Sequence, residues 1–275
     1  MVMEIDEFLN RIGIKDASPT IFRLEEREIN TEKKRGIRTH TNVTDGSVSI
    51  VGFIAYNKPF PDQIFAIPSE DLKNILRESE RIEIMDSKLM GYGNVDFAFN
   101  LQVLEKGKGI HLQYDNPEIL LDKENIKKIL KIDSILSSTS VFIDTDGKNV
   151  IITLQNKIGN IGKVTIPSNF PEFHARFEGR FVECLKLAGD TNVSFNLDGY
   201  DPKRDHKMHG LARIEVTDSN AMISYYINEI TQKVQEKKKV NGSKSEIELT
   251  PSSGVAFPDN PEKPEEDPEE DLQEE

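Results

Sequence analysis

The sequence holds one cysteine in 275 residues, Cys184, so no disulfide can form within the chain. That cysteine sits in the apolar run FVECLKL and reads as a small core side chain. Long apolar runs are missing too. None approaches the ~18 residues that a membrane span needs. The first ten residues, MVMEIDEFLN, lack the basic start and apolar stretch of a secretory signal. The expectation is a soluble, cytoplasmic protein of a reducing compartment, with no membrane partner.

Catalytic signatures are scarce as well. Gly91-Tyr92-Gly93 and Gly159-Asn160-Ile161-Gly162-Lys163 are loose glycine clusters. Neither has the spacing of a phosphate loop, which must open a helix, whereas Lys163 leads into a strand. Asp144 and Asp146 lie in a hairpin turn without the other ligands of a calcium loop. His206 and His209 form a close pair, but no third ligand of fixed spacing accompanies them, so a solvated loop is favoured over a metal site. No enzyme activity, metal or cofactor is expected.

Charge is abundant and unevenly placed. The formal net charge is −13, yet residues 241–275 contain twelve of the 48 acids and only two of the 35 Lys and Arg. The acidity therefore belongs to a tail, and the body is nearly balanced. The tail is rich in Pro, Glu and Asp. It buries too little apolar surface to offset its ordering entropy and should be disordered.

Four short amphipathic helices are predicted at 3–13, 69–79, 122–133 and 179–190. Ser69 and Asp122 are the expected N-caps of the second and third, and Ala188-Gly189 a stop for the fourth. Each is too short to stand alone in water and must pack on something. Between them lie strand-like segments: 19–26, 35–43 and 47–56, then 81–86 and 94–104. A hairpin at 139–156 around Asp146-Gly147 and a strand at 161–167 follow, and after the fourth helix come 192–199, 210–218 and 220–230. One pattern thus occurs four times, a short helix followed by about three antiparallel strands, at a period of roughly 55–65 residues. This is an α+β architecture with helices on one face of the sheets. The domain division reads 1–108, a connector at 109–121, 122–232, and the tail at 233–275.

Two of these helices share a basic pattern. DLKNILR (71–77) and NIKKILK (125–131) align residue by residue, with Lys73 matching Lys127 and Arg77 matching Lys131. On a helical wheel, Lys73, Arg77 and Arg81 form one stripe beside the apolar face. Lys123, Lys127, Lys128 and Lys131 form the corresponding stripe on the third helix. A lysine stripe is commonly a solvated face. Its recurrence at one register, without interleaved aromatics, suggests sequence-independent contact with a duplex backbone.

Residues 122–167 and 209–230, with the helix of 177–197 between them, resemble the second domain of a DNA sliding clamp. The type is that of the T-even phages, related to the eukaryotic and archaeal proliferating-cell clamp. The resemblance also covers 64–104 and is weak over 14–63. It implies a non-enzymatic processivity factor of two similar domains, three copies of which form a ring around double-stranded DNA. On that reading Lys73, Arg77, Arg81, Lys123, Lys127, Lys128 and Lys131 line the channel. Arg11, Arg180 and Lys186 are secondary, because acids stand beside them. The segment 94–104 of one copy would pair with 161–167 of the next. A replicative DNA polymerase and a clamp-loader ATPase would dock through a short apolar peptide near the connector. Leu112, Tyr114, Ile119, Leu120, Leu121 and Ile227 are the candidates there, ordinary packing being the alternative for each. The alternative function is a non-ring DNA-binding accessory protein of the same fold. Lys-, Ile- and Asn-rich usage, together with the resemblance to the phage clamp, suggests a bacterial virus as the source.

Overall fold

A computed structural model describes residues 2–93, 96–104, 118–168, 173–189, 193–198 and 211–230. The chain runs through four units, each opened by a helix. The first holds α1 (Ile5–Ile12), β1 (Thr20–Ile29), β2 (Glu32–Asn42), β3 (Val48–Ala55) and β4 (Ile64–Ile67). The second holds α2 (Ser69–Glu78), β5 (Ser79–Met85), β6 (Lys88–Gly93), β7 (Phe97–Asn100) and β8 (Gln102–Leu104). Strand β9 (Glu118–Leu121) precedes the third unit, which holds α3 (Lys123–Leu136), β10 (Ser140–Thr145), β11 (Asn149–Gln155), β12 (Ile161–Pro167) and β13 (Phe173–Glu178). The fourth holds α4 (Arg180–Ala188), β14 (Val193–Asp198), β15 (Leu211–Thr217) and β16 (Ala221–Asn228).

The helix ends follow the expected chemistry in part. Asp122 caps α3, its side chain accepting from the Asn125 N–H at 2.7 Å. Gly189, with φ +80°, ends α4 in the left-handed region that glycine enters without strain. Ser69, expected as a cap, is instead the first helical residue of α2, and Pro68 takes the cap position without a side-chain bond. Proline's fixed φ and missing N–H suit a helix start in any case.

Three antiparallel sheets hold the strands. The largest has nine, in the order β8-β4-β1-β2-β3-β16-β15-β14-β9. It runs through both halves of the chain, because β3 pairs with β16 from Ile54↔Ala221 to Val48↔Ile227. The others are β12-β11-β10-β13 and β5-β6-β7. Residues 118–121, expected to end a connector, instead form β9 and pair with β14.

Each helix lays its apolar face on these sheets. Phe8, Leu9 and Ile12 of α1 are buried, as are Leu72 and Ile75 of α2, Ile126 and Ile129 of α3, and Phe181, Val182, Leu185 and Ala188 of α4. Burying one such large side chain contributes about 1.5–3 kcal/mol, which is what holds helices too short to persist alone. Cys184 lies fully inside this layer, where burial pushes its thiol pKa far up, as expected of an inert core residue. Gly52 on β3 permits a close approach of helix to sheet: a Cβ there would stand 2.7 Å from both the Phe8 ring and Thr39 Oγ1.

Candidate nucleic-acid interface

The four helices lie side by side. α1 packs on α2 and on α4, and α4 packs on α3, giving the row α2-α1-α4-α3. A polar bridge closes every junction. Between α2 and α1, Lys73 Nζ donates to Asn10 Oδ1 at 2.7 Å, and Arg77 Nε donates to Asp6 Oδ2 at 2.5 Å. Between α1 and α4, Arg11 donates to the Ala188 carbonyl at 2.7 Å and also pairs with Glu7. Arg180 binds Asp16 at 2.9 Å and Glu183 at 2.8 Å. Between α4 and α3, Lys186 Nζ donates to Asp133 Oδ2 at 2.8 Å.

These bridges sort the sequence-predicted bases into two groups. Lys73 is buried at its junction, with Glu70 also 3.5 Å away. Arg77 is half exposed but paired. Arg81 is not on the helix: α2 ends at Glu78, and Arg81 stands on β5, paired with Glu83 at 2.6 Å and lying 5.5 Å over the Tyr92 ring. The stripe read across 73, 77 and 81 therefore breaks where the backbone becomes extended at Ser79. Arg11, Arg180 and Lys186 are taken up in the junctions described above.

The second group is on α3. Lys123, Lys127, Lys128 and Lys131 are all exposed on this helix. Lys127 has a loose contact with Glu124 at 3.8 Å. Among the described residues, no carboxylate lies within 4 Å of Lys128 or Lys131. The α3 acid Asp133 faces the other way and is buried against α4. Burial raises its pKa, but hydrogen bonds from Lys186 and from Ser138 outweigh this and hold the carboxyl below its usual range.

The apolar candidates divide differently. Leu112 and Tyr114 lie outside the described residues. Ile119, Leu121 and Ile227 are 3%, 0% and 1% exposed, so they are core side chains and not a peptide-binding surface. Strand alternation is the reason: on β9 the side chains of 119 and 121 point inward, leaving Leu120 outward at 64% exposure. The His206–His209 pair also lies outside the described residues. Among those described, no group of three or more His, Cys, Asp or Glu is placed to hold a metal ion. No described helix is long and apolar enough to cross a membrane.

One cluster escaped the sequence reading. On the outer face of the large sheet, Arg23 and Arg38 share Glu25, and His40 meets Ser49 Oγ at 2.9 Å. Burial lowers the His40 pKa, and the charges of Arg38 and then Arg23 lower it further, against a side-chain hydrogen bond to Asn42 that raises it. Arg23 and Glu25 alternate on β1 and Arg38 and His40 on β2, a shared face legible only once the register Arg23↔Arg38 is known.

No family model matches the chain, and no curated protein does. Solved structures do. The Proliferating Cellular Nuclear Antigen of Entamoeba histolytica is 16% identical, with a TM-score of 0.55 over 82% of this chain and 95% of that one. The PCNA2-PCNA3 complex of Sulfolobus tokodaii gives 12% identity and a TM-score of 0.55, covering 83% of this chain and 97% of that one. The DNA polymerase III subunit beta of Pseudomonas aeruginosa gives 11% and 0.57, covering 84% of this chain and 64% of that one. The chain has the sliding-clamp fold. Within that fold it is similar to PCNA chains over nearly their whole length, and to about two thirds of the bacterial beta subunit.

Proposed function

We propose that the chain is a sliding clamp: three copies close into a ring around duplex DNA and tether a replicative polymerase to it, without chemistry of their own. The observation that carries this reading is the β3–β16 junction. β3 is the third strand after α1, and β16 is the last strand after α4. The equivalent strands of the other two units are β12, third after α3, and β7, the third after α2. Within the chain each of these is an edge: β12 pairs with β11, β7 pairs with β6, and neither has a second partner among the described residues.

A β7–β12 pair between neighbouring copies would repeat the joint that already unites the two halves of one copy. Such a head-to-tail contact generates a ring when its rotation closes, and it covers two edges that otherwise invite aggregation. Ile161 on β12 and Ile158 in the turn before it are 55% and 83% exposed, a pair of apolar side chains at this same edge. Two domains per copy, 1–108 and 122–232, set the number of copies at three in the clamps that the sequence resembles. The helix row would then face the duplex, its exposed lysines touching phosphates without reading bases. A polymerase and a loader ATPase would dock on the outer face by a short apolar peptide, with Leu120 the exposed apolar contact.

Light scattering on the purified chain at tens of micromolar tests the ring. A species near three times the 31.2 kDa chain mass is expected. A monomer at every concentration would overturn the ring and leave a one-sided DNA grip of the same fold.

A further inference from the structure

The two basic helices match in sequence but not in the partners their side chains find. We infer that duplex contact is confined to α3, and that Asp6 and Asn10 of α1 withhold the matching bases of α2 from DNA. The inference rests on the clamp reading above and divides the proposed channel into unlike arcs.

On α2, Lys73 has a side chain only 11% exposed, and its ammonium is spent on Asn10. Arg77 is bound through Nε to Asp6, so the pair presents no net charge to an approaching phosphate. Glu70, Asp71 and Glu78 outnumber these two bases on α2 itself, and α1 adds Glu7 beside Arg11. The local field over α1 and α2 is therefore neutral to acidic. Phosphate contact there would require breaking a bridge and returning its carboxylate to solvent beside the DNA.

On α3 the balance is reversed. Lys127, Lys128 and Lys131 project from one exposed face, spaced i, i+1 and i+4, which is about one helical turn. The nearest acid on that face, Glu124, is exposed at 3.8 Å from Lys127, and such a pair contributes little and opens easily. The other α3 acid is neutralised by Lys186 from behind. A strong phosphate contact needs a solvated, unpaired ammonium, and of the four described helices only α3 offers several together. In a closed ring the duplex would meet three basic arcs alternating with three nearly neutral ones.

Fluorescence anisotropy of a labelled duplex, titrated with the full chain between about 50 and 200 mM salt, tests this, because each phosphate contact adds about 0.9 to the slope of log affinity against log salt. K127Q/K128Q/K131Q should lower affinity at least about tenfold at the low-salt end and flatten the slope. R77Q combined with Asp6→Asn, which removes the neutral pair as a whole, should leave both unchanged. Since that variant could also weaken the α1–α2 packing, Asp6→Asn alone supplies an opposite reading: it frees Arg77 and should raise affinity and steepen the slope. Equal losses from the double and triple variants, or no gain from Asp6→Asn alone, would overturn the inference and leave the clamp reading standing. No duplex binding by the unaltered chain at any salt would overturn both.

Discussion

Lys186 of α4 and Asp133 of α3 meet at 2.8 Å, and the same carboxylate accepts from the Ser138 N–H at 3.0 Å. One acid thus ties two helices together and receives the backbone just past the end of α3. Charge-assisted hydrogen bonds to a buried carboxylate are worth about 1.5–3 kcal/mol, so Asp133→Ala should cost about 2 kcal/mol in denaturant melts. The sign of the pH effect follows from the depressed carboxyl pKa. Its contribution is full above the ordinary value of 3.8 and is lost as pH falls through the lower native value. Asp133→Ala should therefore lose less stability than the parent chain between about pH 4 and pH 2.

Gly52 is expected to be intolerant of even a methyl group. Its Cβ would press on the Phe8 ring and on Thr39 Oγ1 at 2.7 Å, so Gly52→Ala should cost about 1–3 kcal/mol. Adding Phe8→Leu should restore room. The double variant should then be less destabilised than the sum of the two single changes, which thermal melts of all four proteins would measure.

His40 should make the protein acid-sensitive in a second window. Burial and the Arg38 and Arg23 charges hold its pKa below the ordinary 6.5. The folded chain therefore binds fewer protons than the unfolded chain as pH drops below about 6.5. Stability attributable to His40 is full above that pH and declines as pH falls through the lower native value. His40→Gln should reduce the drop in melting temperature between about pH 7.5 and pH 5, and an identical drop in both proteins would contradict the assignment.

Ile161→Asp probes the edge of β12. The side chain is 55% exposed in the single chain, so the change should leave the melting profile of a monomer nearly intact. In a ring it would place a charge at the seam. Light scattering should show the mass falling toward one chain, and an undiminished assembly would mean that copies meet elsewhere.

The helices and most strands were legible in the sequence because their apolar periodicity is unbroken. The third helix, expected at 122–133, runs from Lys123 to Leu136, and the strand expected at 161–167 is found at those residues. β6 was missed, since KLMGYG carries two glycines that read as a loop. Those glycines instead let Ser79 and the end of α2 press close to the strand. β13, FHARFE, alternates well enough to be found but was passed over beside the stronger helix signal of α4. β9 was hidden because four residues at a connector's end carry no pattern of their own until β14 pairs with them. The site was less legible than the fold. Lys73 and Lys127 occupy the same register, and only the packing of α1 against α2 reveals that one of them is already engaged, 63 residues away in the chain, by Asn10.

The joint between β3 and β16 has a mechanical meaning. Around it, Asn220 exchanges hydrogen bonds with the Met3 backbone, and the Tyr225 hydroxyl donates to the Arg11 carbonyl at 3.0 Å. Arg180 reaches across to Asp16. A load applied across this joint is therefore carried through continuous hydrogen-bonded backbone from one half to the other. In the ring proposed above, strain would then gather at the seams between copies, where no peptide chain crosses.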